Sequence, residues 1–203
     1  MPFVCLRLPL VTRNGQLDQP PVGRYLPSVK FRPSRLGFTL VELLVTLAIA
    51  AILFGLAVPS MARFLQSNRL TTATNTLVSN LQLARSEAIE RGVPVMLCKS
   101  ADGTSCSTSA GVSWANGWLM YADLNGDSAW TAANDVMIRI QEALPADIAV
   151  TAPGNVITFN RQGMIGTGPG TGNYQLCSTP LGKSRIVSLG ATGRTTLSEG
   201  APC

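Results

Sequence analysis

The chain has 203 residues, 46% of them hydrophobic and 13% charged, and it contains no histidine. That length suits one domain with appendages and can bury a sizeable core, while the missing imidazole excludes Ser-His-Asp or Cys-His catalysis and any histidine-held metal. Six of the sixteen basic residues but one of the eleven acidic residues lie in residues 1–37, leaving ten of each in 38–203. The net charge of +5 therefore sits wholly in the N-terminal segment, and the pI of about 9.2 is no sign of a nucleic-acid-binding body.

Residues 1–37 carry Arg7, Arg13, Arg24, Lys30, Arg32 and Arg35, with Pro20, Pro21, Pro27 and Pro33 predicting a disordered leader. From Phe38 to Val58 the chain is apolar except for Glu42. Those 21 residues, as a helix rising about 1.5 Å per residue, reach roughly 31 Å and can cross a bilayer core. Lys30, Arg32 and Arg35 before the span favour a cytoplasmic N-terminus, with Arg63 and Arg69 on the far side. The run is too long for a conventional signal peptide, and small residues stand before it rather than after. A carboxylate inside such a span calls for a cation at its own depth. Cleavage after Gly37 would create one, the α-amino group of Phe38, and Glu42 of one copy could neutralise the amino terminus of a neighbour packed beside it.

Arg35-Leu36-Gly37 followed by Phe38-Thr39-Leu40-Val41-Glu42 resembles the class III signal of type IV prepilins and type II secretion pseudopilins. The resemblance implies that a membrane prepilin peptidase cuts after Gly37 and N-methylates Phe38, and that Pro59 is the helix-bending proline such subunits often carry. The leader is long for the family.

Beyond Pro59, Leu70, Ala73, Leu77, Leu81, Ala84 and Ala88 recur every three or four residues, with Arg85, Glu87, Glu90 and Arg91 elsewhere around the turn. Gly92 and Pro94 stop the pattern. One long helix is thus predicted over about 38–91, its first half in lipid and its second half against a globular head. Eight short strand-like runs follow: Val93–Lys99, Gly117–Ala122, Val136–Ile140, Ile148–Thr151, Val156–Asn160, Tyr174–Cys177, Arg185–Leu189 and Arg194–Leu197. Spacers rich in Gly, Ser, Thr, Asn and Asp make this an α+β protein whose long N-terminal helix packs on an antiparallel β head.

Leu83-Ala84-Arg85-Ser86-Glu87-Ala88, Arg91-Gly92-Val93-Pro94-Val95, Cys98, Trp114, Gly117-Trp118 and Asp123 resemble the FimT/GspH group of minor pilins and pseudopilins. That likeness covers essentially all of 35–203 and implies a type IV pilin-like fold. It also implies a low-abundance subunit that helps initiate or cap a type IV pilus or a type II secretion pseudopilus. The implied organisation is a leader at 1–37, a transmembrane helix at 38–58, its amphipathic continuation at 59–91 and a periplasmic head at 92–203. The implied partners are other pilins, prepilin peptidase and the bacterial inner membrane; no enzyme activity and no cofactor are expected.

Cys5 lies in the leader; Cys98, Cys106, Cys177 and Cys203 lie in a head that the topology places in an oxidising compartment. Four cysteines allow three connectivities, and proximity in sequence favours Cys98–Cys106 and Cys177–Cys203 over a zinc site. Asp123-Leu-Asn125-Gly-Asp127 opens like a calcium loop but has Ser128 and Asn134 where an EF-hand has glycine and glutamate, so a turn is expected. Gly163 to Gly172 lacks the lysine of a P-loop and reads as a flexible loop. Trp114 and Trp118 read as core or edge aromatics. The alternative function is a minor pilin that binds DNA for uptake, with Lys183, Arg185 and Arg194 as its candidate residues. Some FimT relatives carry Gly-Arg-x-Arg near the C-terminus, whereas this chain reads Gly193-Arg194-Thr195-Thr196.

Overall fold

The structure, a computed structural model, describes residues 37–165 and 170–203. Residues 1–36, which hold Cys5 and most of the leader expected from the sequence, residues 166–169 of the glycine-rich loop, and the side chains of Leu56 and Pro59 lie outside the described residues. The chain divides between Val45 and Thr46 into two units. Of the first, the described part is the non-helical Gly37–Thr39 and the opening of helix α1, which spans Leu40–Arg91.

In the second unit α1 changes character along its length. Leu47, Ile49, Ile52, Leu53, Phe54, Val58, Met61, Phe64 and Leu65 are each more than half exposed. The apolar stretch has a mean hydropathy of 2.6 and is long enough to cross a membrane. From Leu70 on, one face closes: Leu70, Ala73, Leu77, Leu81, Ala84 and Ala88 are buried. Gly92, at φ +65°, ends the helix by donating its N–H to the Ala88 carbonyl at 3.1 Å.

Eight strands follow: β1 Val95–Lys99, β2 Trp118–Ala122, β3 Val136–Gln141, β4 Ile148–Thr151, β5 Val156–Phe159, β6 Gly172–Ser178, β7 Lys183–Leu189 and β8 Thr195–Glu199. They form two antiparallel four-stranded sheets, in the orders β3-β2-β1-β5 and β4-β6-β7-β8. The buried stripe of α1 shares one core with both: Val95, Leu97, Met120, Ile157 and Phe159 of the first sheet, and Ile148, Tyr174, Leu176, Val187 and Leu189 of the second. One long helix packed on two antiparallel sheets is the α+β architecture that the periodicities imply.

The first sheet is also covered on its far side. Met96, Cys98, Leu119 and Tyr121 form a second apolar cluster against Cys106, Trp130, Met137 and Val156, which explains why β1 and β2 are buried at every position. Trp114 and Trp118 both lie in the main core. The Trp114 indole donates to the Gly154 carbonyl at 2.7 Å, and its ring meets Trp118 and Tyr174 at centroid distances of 6.1 and 5.8 Å. Gly117, at φ +114°, lies so close to the Gln141 carbonyl that a Cβ there would collide with it. Disulfides join Cys98 to Cys106 (Cα–Cα 5.5 Å) and Cys177 to Cys203 (6.1 Å); the first ties the loop after β1, the second the C-terminal tail to β6.

Candidate functional site

Gly37, Phe38 and Glu42, expected from the sequence to serve processing and assembly, stand at the start of α1. Phe38 is 79% exposed, and Thr39 caps the helix: its Oγ1 accepts from the Glu42 N–H at 3.2 Å and its carbonyl from the Leu43 N–H at 3.1 Å. Glu42 is therefore the third residue of the first turn, where a carboxylate meets the positive end of the helix. Thr39-x-x-Glu42 has the spacing of a capping box, a signal that reading Glu42 only as a buried charge overlooks. The position serves the helix and leaves the carboxylate at its exposed N-terminal end.

The family-like run Leu83–Ala88 divides its duties around one turn. Ala84 and Ala88 are fully buried and let the helix approach the sheets closely, while Glu87 pairs with Arg91 one turn on. Arg85 runs its stem past Gly163 and Gly193; a Cβ on Gly163 would come within 3.0 Å of the Arg85 Cγ. Its head shares a groove of about 400 Å³ with Gln82, Ser86, Ile89, Arg194 and Thr195.

The three candidate DNA residues do not form one cluster. Lys183 opens β7, Arg185 faces Glu199 of β8, and Arg194 lies past the far end of β7 in the turn before β8. Six residue steps of β7 from Lys183 to Leu189 amount to about 20 Å. Arg194 instead neighbours Arg85, more than a hundred residues away in sequence. Lys183 neighbours Arg63, Phe64, Ser67, Pro180 and Leu181 of a second groove, of about 470 Å³.

Asp123 to Asp127 forms a turn. Asp123 accepts from the Gly126 and Ser128 N–H groups at 2.7 and 3.0 Å, and Asp135 closes the loop by accepting from Leu124 and Thr131 at 3.3 and 2.8 Å. Among the described residues no group of three or more His, Cys, Asp or Glu side chains is placed to hold a metal ion. Burial pushes the Tyr121 and Tyr174 phenols well above their ordinary range, with the Asp123 and Asp135 charges adding to the effect at Tyr121. Both phenols therefore stay protonated and packed. In the disulfide loop the Asp102 carboxyl is held far below its usual range by the Thr104 N–H, then by the Ser105 hydroxyl and N–H.

The sequence family described as Type II transport protein GspH matches residues 73–193, and the prokaryotic N-terminal methylation motif matches residues 32–58. No curated protein matches the chain. Among solved structures, the type IV minor pilin FimU of Pseudomonas aeruginosa is similar at 20% identity, with a TM-score of 0.50 over 69% of this chain and 98% of that one. A second crystal form of FimU gives 21% identity and the same TM-score over 66% and 99%. The minor pseudopilin EpsH of the Vibrio cholerae type 2 secretion system is 13% identical, with a TM-score of 0.42 over 66% and 97%.

Proposed function

This chain belongs to the GspH family of minor pilins and pseudopilins, whose members assemble with other pilins, and we propose that it serves as a low-abundance subunit that initiates or caps a type IV pilus or pseudopilus. The observation that carries the reading is the contrast within α1. Residues 70–88 bury a stripe in the head, while Leu47, Ile49, Ile52, Leu53, Phe54 and Val58 leave an exposed apolar surface. A helix so exposed is stable only in lipid or among copies of itself.

In this reading prepilin peptidase cuts after Gly37 and methylates Phe38, residues 38–58 anchor the subunit in the inner membrane, and the helical 59–91 leads into a periplasmic head at 92–203. Glu42 then neutralises the amino terminus of Phe38 in a neighbouring subunit as helices pack. The role is assembly, with no catalysis. DNA uptake is not carried forward, because Lys183 and Arg194 stand at opposite ends of β7 and cannot grip adjacent phosphates together.

Mass spectrometry of the membrane-extracted protein tests the reading. The expected N-terminus is methylated Phe38, and an intact Gly37–Phe38 bond in a cell with active peptidase would refute it.

A further inference from the structure

We propose that the groove between α1 and the β6–β7 turn, walled by Arg63 and Lys183, binds the phosphate of an anionic phospholipid headgroup. The inference rests on the reading of residues 38–58 as the membrane anchor, and four observations carry it further than that reading goes.

The first is depth. The apolar run ends at Val58, and Arg63 lies five residues on, roughly 7.5 Å along the helix. The headgroup layer on each side of a bilayer core is about 5–8 Å thick, so Arg63 leaves the helix at the level of the phosphates. The second is that the head returns to the same level: Pro180, Leu181 and Lys183 stand across the groove from Arg63, Phe64 and Ser67. Two cations 120 residues apart in sequence thus face one opening, and in the adjoining hollow, beside Ser67 and Lys183, Arg185 lies with its cross-strand neighbour Glu199.

The third observation is that these charges are uncommitted. Among the described residues the side chains of Arg63 and Lys183 make no ion pair or hydrogen bond, whereas Arg69, less than two turns further from the apolar run, is held by Asp147 at 3.5 Å. The fourth is the rim. Phe64, 59% exposed, lines the groove beside Arg63 together with Pro180 and Leu181, giving it an apolar border where acyl chains would begin. A phosphodiester with acyl chains matches a site that is cationic on its walls and apolar on its lower edge. A free phosphate or a DNA strand would leave the apolar edge in water. The second pair of cations, Arg85 and Arg194, lies about 33 Å further along the helix from Arg63 and out of reach of the same headgroups.

Held this way, the head is tethered to the leaflet while the subunit waits in the bilayer, and the contact is given up when the subunit leaves for a filament. The test uses the purified full chain. Flotation with neutral phosphatidylcholine vesicles, resistant to high salt, reports anchoring; native mass spectrometry in neutral detergent compares retention of phosphatidylglycerol and phosphatidylcholine. The expected result is preferential retention of phosphatidylglycerol, reduced about fivefold by Arg63→Gln or Lys183→Gln, abolished in the double variant and unchanged by Arg194→Gln. Both substituted side chains are exposed, and an unchanged melting temperature of each variant confirms its fold. A chain that floats yet retains both lipids equally, or whose preference survives the double substitution, overturns the lipid site and leaves the anchor standing. A chain that fails to float overturns the anchor and the site together. Stabilisation by inorganic phosphate, or binding of a short DNA duplex, that is lost in the double variant without any lipid preference would reassign the cations to those anions and refute the proposal.

Discussion

Residues 47–65 and 70–91 are two stretches of one helix with opposite surroundings. The first leaves large apolar side chains exposed from Leu47 to Leu65; the second gathers most of its apolar residues into one stripe and buries that stripe against two sheets. A stripe specifies a partner within the chain, because only one face needs to leave water, whereas an all-round apolar cylinder cannot be covered by a head of this size. The comparison teaches that helical propensity does not separate the two regions. The distribution of polar residues around the turn separates them: it places one region in the core of the head and leaves the other's apolar surface outside it.

Substitutions that exchange these assignments should have the largest effects. Leu81→Ala opens a cavity at a fully buried position and is expected to cost about 2–5 kcal/mol of head stability in denaturant titration, while Leu53→Ala leaves the head unchanged. The converse is Leu53→Arg, which should cost about 2.5–3.5 kcal/mol of membrane insertion and nothing in head stability. Carbonate extraction reads the first effect and thermal unfolding the second; a large fall in melting temperature would show that the exposed half supports the head.

Replacing Cys177 and Cys203 together by serine is expected to cost about 2–4 kcal/mol, more than replacing Cys98 and Cys106, because the closed loop is longer, with a sequence separation of 26 against 8. Glu42→Ala should lower helix stability by less than 1 kcal/mol, the ordinary worth of a charge in the first turn. The variant should be inserted and cut yet missing from sheared filaments, and normal incorporation would remove Glu42 from assembly. The smallest expected effect is on the disulfide loop. The folded state holds the Asp102 carboxyl below its ordinary 3.8, so the loop's stabilisation is complete above that pH and is lost as the pH falls below it. Trp130, whose indole donates to the Thr104 carbonyl at 2.8 Å, should report the loss by fluorescence, with no acid transition in Asp102→Asn.

Much of this architecture is legible in the residues themselves. Helix α1, its end at Gly92 and all eight strands lie within two residues of the spans read from apolar periodicity and turn formers, because both signals are local. The sheets were not legible. β1 pairs with β5 as well as β2, and its residues are buried on both faces, so it shows no alternation from which a register could be read. The candidate site divides in the same way. Gly37, Phe38 and Glu42 lie within six residues and announce themselves, but Lys183, Arg185 and Arg194 look like one basic segment only while the chain is written as a line. Strand β7 carries Lys183 to one end and Arg194 to the other, each beside a different arginine of α1.

By itself the amino-acid sequence determined which stretches are helix and strand and which half of the helix is the more apolar, since propensity and hydropathy act over a few neighbouring residues. Only the tertiary structure decided which strands share a sheet, which face of the first sheet is covered twice, and which cations stand across a groove from one another. Those outcomes depend on packing between segments up to 120 residues apart, and no local pattern of side chains encodes that distance.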